Sequence, residues 1–260
     1  MDPFHERLAR VALDVAGSFG FALAGGYAVQ AHGFLNRASS DVDLFAEASA
    51  ESDFPQAVDV IIAAYLREGL QVSTELRSSS FARLDVSSAA DSAKVELGLD
   101  WRRNKPIQLA VGPVLHADDA VANKVCALFG RAEVRDYIDV DAILASGRYT
   151  EAQLLDLAAE HDPGFDRLRF ADALAAIGRL PDSLFQPYGL SPEDTSALAG
   201  GCVHGPGDPH CRIGKAPRWA HSRSASTPQP VNIREQLIFR PVPGPLVSLW
   251  LVVTGWPSTP

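Results

Sequence analysis

Two carboxylates stand one residue apart in Asp41-Val42-Asp43, inside the alternating run DVDLFAE. In a strand, residues two apart point to one face, so Asp41 and Asp43 stand side by side, with Val42 and Leu44 on the other face. Adjacent carboxylates repel, and without a cation between them one is driven toward its protonated form. Hard oxygen donors at this spacing suit Mg2+ (or Mn2+), which takes one or two carboxylates and completes its shell with water and phosphate oxygens. On a solvated strand edge the same pattern does no chemistry, so its neighbours decide. Gly25-Gly26 lies between a short strand and a helix, where absent side chains let backbone N–H groups approach a phosphate and the helix start offers partial positive charge. Ser39 and Ser40 place hydroxyl donors just ahead of the carboxylates.

Two further groups lie downstream. Lys124 has Ala120, Val121, Ala127 and Leu128 three and four residues away, so on a helix its ammonium emerges from an apolar stripe. It needs a carboxylate or a triphosphate, unless it reaches water along its own stem. In Arg135-Asp136-Tyr137-Ile138-Asp139, Arg135 and Asp139 are four apart and can pair on a helix surface, while Asp136 and Asp139 share a face.

The elements that must position these groups follow from periodicity. Residues 4–16 read as an amphipathic helix, FALA at 21–24 as a strand, DVDLFAE as an edge or half-buried strand, and 54–69 as a helix. Three further strands are predicted at 70–76, 81–88 and 93–101. From residue 117 the period becomes 3.6, with helices near 117–129, 133–146, 150–160 and 164–178. The class is α+β. Three segments are expected: a core at 1–116, a helical region at 117–199 that completes the site, and a tail at 200–260; residues 181–260 hold no convincing periodic segment except IREQLIF and the terminal apolar run.

The stretch LAGGYAVQAHGFLNRASSDVDLF resembles the opening motif of the DNA polymerase β-like nucleotidyltransferase superfamily. With Lys124 in DDAVANKVCALFGR and RDYID at 135–139, the chain is similar more narrowly to the AbiEii/MenT nucleotidyltransferases, the toxins of type IV toxin–antitoxin systems. This resemblance implies a mixed sheet flanked by helices. It implies that Asp41 and Asp43 hold the metal, that Gly25, Gly26, Ser39 and Ser40 cradle the nucleotide, and that Lys124 contacts its phosphates. Asp139 then positions or deprotonates an acceptor, with Asp136 as the lesser candidate. Relatives in the superfamily often add a third metal carboxylate from a later strand. Glu96 and Asp100 are candidates here, Asp100 being preferred because it ends its strand, and Asp85 is another. The implied reaction is transfer of a nucleoside monophosphate from an NTP to the 3′ end of tRNA, blocking translation, with a cognate antitoxin encoded nearby. The rival readings are transfer to a small molecule or protein hydroxyl, and a nucleotide-binding module without catalysis.

Composition bounds these readings. The 260 residues are 47% hydrophobic and 21% charged, an ordinary globular mixture. Residues 1–199 carry 17 Lys+Arg against 30 Asp+Glu, whereas 200–260 carry 6 against 2 and hold 10 of the 18 prolines. An acidic body repels polyanions, so RNA contact needs a local basic patch. Trp101-Arg102-Arg103-Asn104-Lys105 is one, with Arg131 and Arg135 as possible extensions. Three scattered cysteines fit a reducing cytoplasm. The apolar run at 245–256 is shorter than the roughly 20 residues needed to cross a bilayer, so no membrane partner is expected. A monomer is expected too. In the tail, Cys202, His204, His210 and Cys211 match known zinc fingers poorly. His32 and His116 read as core or turn residues.

Overall fold

The computed structural model describes residues 1–37 and 39–203. Helix α1 (Pro3–Ala16) starts where Asp2 accepts hydrogen bonds from the Phe4 and His5 N–H groups, and it buries Leu8, Ala9, Ala12, Leu13 and Ala16. Strand β1 (Ala22–Leu23) leads into α2 (Gly25–Ala31), then β2 (Asp41–Glu47) and α3 (Phe54–Arg67). Three longer strands follow: β3 (Gln71–Arg77), β4 (Phe81–Ser87) and β5 (Ser92–Asp100). A small hairpin comes next, β6 (Ile107–Leu109) and β7 (Gly112–Val114). The remainder is helical: α4 (Ala117–Arg131), α5 (Val134–Ala145), α6 (Glu151–His161), α7 (Arg167–Ala175) and α8 (Pro192–Val203).

The strands form one mixed sheet in the order β3-β4-β5-β2-β1-β7-β6. β2 runs parallel to β5 and antiparallel to β1, so it is a central strand and not the edge or half-buried strand that its alternation suggests. Val42 through Ala46 are all buried, because the carboxylate-bearing face is covered as well as the apolar one. Alternating carboxylates mimic a solvated face; here they mark a buried polar site. The hairpin β6–β7, whose second strand opens on Gly112 at φ +128°, is too short to show a period. It joins the sheet through parallel pairing of β7 with β1.

Two apolar cores organise the described residues. One gathers α1, α3 and the sheet around Leu8, Leu44, Ile61, Leu84 and Leu97. The other gathers α4 to α8 around Val125, Leu128, Tyr137, Ile143 and Phe185. Helix α2 belongs to both, with Tyr27 and Ala28 in the first and Val29 in the second. The segment carrying the double glycine is thus clamped between the two bodies. Helix α8 lies where no periodic segment was expected and runs past residue 199. The tail from 204 onward, the run at 245–256 and the Cys202, His204, His210, Cys211 group lie outside the described residues or their described side chains.

Candidate functional site

The end of β1 and the start of α2 bring the double glycine against β2. The Ala24 N–H donates to the Asp43 carbonyl at 2.8 Å. Gly25 sits at φ +58°, and a Cβ there would lie 1.7 Å from Asp43 Oδ2. No L side chain fits that position without displacing the carboxylate. A Cβ on Gly26 would stand 3.0 Å from Ser39 Oγ and 3.3 Å from the Arg37 guanidinium. Asp43 is only 7% exposed, and burial, followed by the charge of Asp41, pushes its carboxyl above the usual range. Asp41 is more open; its Oδ2 accepts from the Ser40 hydroxyl at 2.9 Å and from Arg135 at 3.2 Å. The Ser39 carbonyl accepts from Tyr27 at 3.2 Å, and the Tyr27 hydroxyl in turn contacts His5 Nδ1 at 2.6 Å.

Parallel register places Glu96 of β5 directly opposite Asp43, and Asp100 opposite Glu47. Asp100, the preferred third carboxylate, is therefore not beside the pair. Its side chain accepts from Asn123 at 3.0 Å and from the Trp101 N–H at 2.8 Å, with His161 Nε2 at 3.5 Å. Asp85 is separated from Asp41 by Lys94 of the intervening strand. Glu96 is buried, and burial together with the nearby Asp43 charge pushes it up to about 7 against the pull of Arg83. Arg83 of β4 grips it at 2.8 Å. Among the described residues, no group of three or more His, Cys, Asp or Glu is assembled to hold a metal. The two oxygen donors Asp41 and Asp43, mutually repelling and hard, still fit a divalent cation of the Mg2+ class, whose remaining ligands come from water and phosphate.

Above this face, α4 and α5 supply cations. Lys124 Nζ lies 2.8 Å from Asp139 Oδ2. Arg37 clasps the same carboxylate with two hydrogen bonds, at 2.6 and 2.7 Å. Asp139 is fully buried, and despite that burial Lys124 and Arg37 hold it down to about 2. One expected pairing is thereby corrected: Asp139 pairs with these two cations and not with Arg135. Arg135 turns to Asp41 and Glu133 instead, at 3.2 and 2.8 Å. Asp136, also fully buried, is held bidentately by Arg131 at 2.8 Å and closes the capping box of α5 with Glu133.

One cleft collects Gly25, Gly26, Arg37, Ser39, Asp41, Asp43, Phe45, Asn123, Lys124, Ala127, Arg131 and Arg135. Buried carboxylates and a guanidinium-rich wall thus face a common space, the arrangement needed for a polyanion bound through a cation. Arg37 carries no local signal of this role, because its partner Asp139 is 102 residues away. Arg131 and Arg135 belong to the cleft wall.

That patch is largely committed to structure. Arg102 donates to the Gly20 carbonyl at 3.0 Å, Arg103 pairs with Glu160 at 2.7 Å, and the Arg103 and Asn104 N–H groups donate to Asp119. Trp101 is 42% exposed and packs edge-on against His161. His116 caps α4, and His32 Nε2 lies 2.8 Å from the Leu115 carbonyl. No helix among the described residues is long and apolar enough to cross a membrane.

A family model described as the nucleotidyl transferase AbiEii toxin of type IV TA systems matches residues 7–219. No curated protein matches the sequence. Similar solved structures include MenT4, a nucleotidyltransferase toxin of Mycobacterium tuberculosis H37Rv, at 16% identity and TM-score 0.51, covering 77% of this chain and 82% of that one. An H. pylori protein assigned as a nucleotidyltransferase aligns at 18% identity and TM-score 0.51, over 77% and 92% of the two chains. JHP933 of Helicobacter pylori aligns at 19% identity and TM-score 0.47, over 77% and 89%.

Proposed function

Because the chain belongs to the AbiEii nucleotidyltransferase toxin family of type IV toxin–antitoxin systems, and is a nucleotidyltransferase that uses an NTP, we propose that it transfers a nucleoside monophosphate to the 3′ end of tRNA and so blocks translation. A cognate antitoxin follows from the family; a monomeric, cytoplasmic enzyme is part of the proposal. The supporting observation is the cleft itself, which Asp41 and Asp43 line together with Gly25, Lys124, Arg131 and Arg135.

Asp41 and Asp43 would hold Mg2+ or Mn2+, which when bound neutralises triphosphate charge and polarises the α-phosphoryl group. Gly25 lets Asp43 stand close to the backbone, and Gly26, Ser39 and Ser40 line the approach of the phosphates. Lys124, Arg131 and Arg135 stabilise charge on the β- and γ-phosphates as pyrophosphate leaves. The new bond joins an acceptor oxygen to the α-phosphorus, and the α–β bridging bond breaks. Asp139 fixes the Lys124 ammonium and the Arg37 guanidinium while they bear on the nucleotide. Its role is positional, since it touches neither reacting partner.

The test is incubation of the full chain with each α-labelled NTP and total RNA, small molecules or protein. The expected result is label on tRNA, abolished in Asp41→Asn and Asp43→Asn. Label confined to the small-molecule or protein fraction overturns the tRNA acceptor. No incorporation anywhere overturns the catalytic reading.

A further inference from the structure

The carboxylate face of the sheet carries a row that runs from two carboxylates to a guanidinium. Asp43 of β2 is in register with Glu96 of β5, and Glu96 is in register with Arg83 of β4. Residues directly opposite on adjacent strands share a face. The row across the sheet is therefore carboxylate, carboxylate, guanidinium. Glu96 is 7% exposed and accepts from Arg83 Nε at 2.8 Å, with the second guanidinium nitrogen also at 2.8 Å. The guanidinium is held from its other side as well, lying 5.8 Å from the centre of the Phe81 ring. Planar and permanently charged, it brings two nitrogens to one oxygen of the buried carboxylate, Glu96 Oε1.

We propose that Arg83 is a positioning residue that withholds Glu96 from the metal, so that the cation is held by Asp41 and Asp43 alone and completes its shell from the nucleotide. The inference rests on the two-carboxylate metal reading above and adds a restriction to it. Two things support it. Register brings Glu96 directly opposite the proposed ligand Asp43, yet among the described residues no three-membered ligand group is assembled. Fewer fixed negative charges mean weaker binding of the bare ion, because affinity for hard cations follows the number of charged ligands. The cation then arrives chiefly with the triphosphate, which supplies the missing oxygens.

Mn2+ titration of the nucleotide-free full chain, followed by electron paramagnetic resonance, tests this without reference to turnover. In the wild-type chain, Glu96→Gln leaves Mn2+ affinity within about twofold. Arg83→Gln frees Glu96 and tightens Mn2+ by about tenfold, as expected for one added carboxylate. The double variant Arg83→Gln/Glu96→Gln returns to the wild-type value, and Arg83→Lys, which keeps the pair, stays close to it. A loss of Mn2+ affinity on Glu96→Gln alone overturns the proposal, since Glu96 would already be a ligand; this arm decides even where Arg83→Gln fails to fold. A folded Arg83→Gln with unchanged affinity overturns it too. Unchanged Mn2+ binding in Asp41→Asn and Asp43→Asn instead removes the underlying metal reading, a failure that is recognised independently of Arg83.

Discussion

Replacing Asp139 by Asn keeps the shape of the side chain and removes the charge that Lys124 and Arg37 share. Both cations stay buried, with side chains 7% and 10% exposed, and are left facing an amide. Two routes give the magnitude. Lowering the carboxyl from its ordinary 3.8 to about 2 is worth roughly 2–2.5 kcal/mol at neutral pH, at 1.36 kcal/mol per unit. Removing one partner of a buried ion pair costs about 3–5 kcal/mol, because the remaining charge is uncompensated. The expected loss at pH 7 is therefore about 3 kcal/mol or more, and at about 2–4 °C per kcal/mol for a body of this size Tm falls by about 6–12 °C. A depressed carboxylate contributes stability above its unfolded value and loses it as pH falls from about 4 toward 2. Urea and thermal denaturation at pH 7, 5 and 3.5 should thus show the gap between wild type and Asp139→Asn constant at the two higher values and narrowing at the lowest. Adding Lys124→Met to Asp139→Asn should recover part of the loss, since one stranded cation disappears. A variant that loses nucleotidyl transfer while keeping wild-type stability at pH 7 would refute this reasoning and return Asp139 to direct contact with substrate.

Further outcomes follow from the same geometry. Gly25→Ala puts a methyl on Asp43 Oδ2; the carboxylate must move by 1 Å or more, and labelled-nucleotide incorporation should fall by about 100-fold with the far-UV spectrum retained. Asp141 lies on α5, and burial alone pushes its carboxyl up to about 6. Its ionisation therefore opposes folding increasingly from pH 4 to pH 6 and fully above that, so Asp141→Asn should gain up to about 3 kcal/mol at pH 8 and nothing at pH 4, read by urea denaturation. All the proposed site residues precede residue 140, so a chain ending at Val203 should still label its acceptor; complete loss of label would show that the tail contributes to the site.

Much of the site was legible because its signals are local. The i, i+2 spacing of Asp41 and Asp43 puts them on one face of whatever strand forms, and a double glycine between strand and helix marks a place where backbone must come close to something. Lys124, alone in an apolar stripe, called for a carboxylate or a phosphate unless its stem reached water. The helices from 117 onward declared themselves through their period, and their observed limits lie within a few residues of expectation. Less was legible where the structure depends on distant segments. β2 reads as an edge strand because alternation cannot distinguish water from a buried polar cleft. The hairpin β6–β7 has too few residues to show any period.

Partner choice shows the division most clearly. The residue types, their order and the resemblance they carry all came from the chain itself, and with them the class of chemistry. What the chain did not reveal is which charge faces which. A helix rule couples Arg135 to Asp139, four residues away, yet Asp139 is held by Lys124 and by Arg37 from another element, while Arg135 turns to Asp41. Glu96 rather than Asp100 stands opposite Asp43 because β2 and β5 pair in parallel in that register. Such a register is set by burying Leu44, Val95 and Leu97 in a shared core, a requirement of the whole sheet that no spacing within one strand expresses.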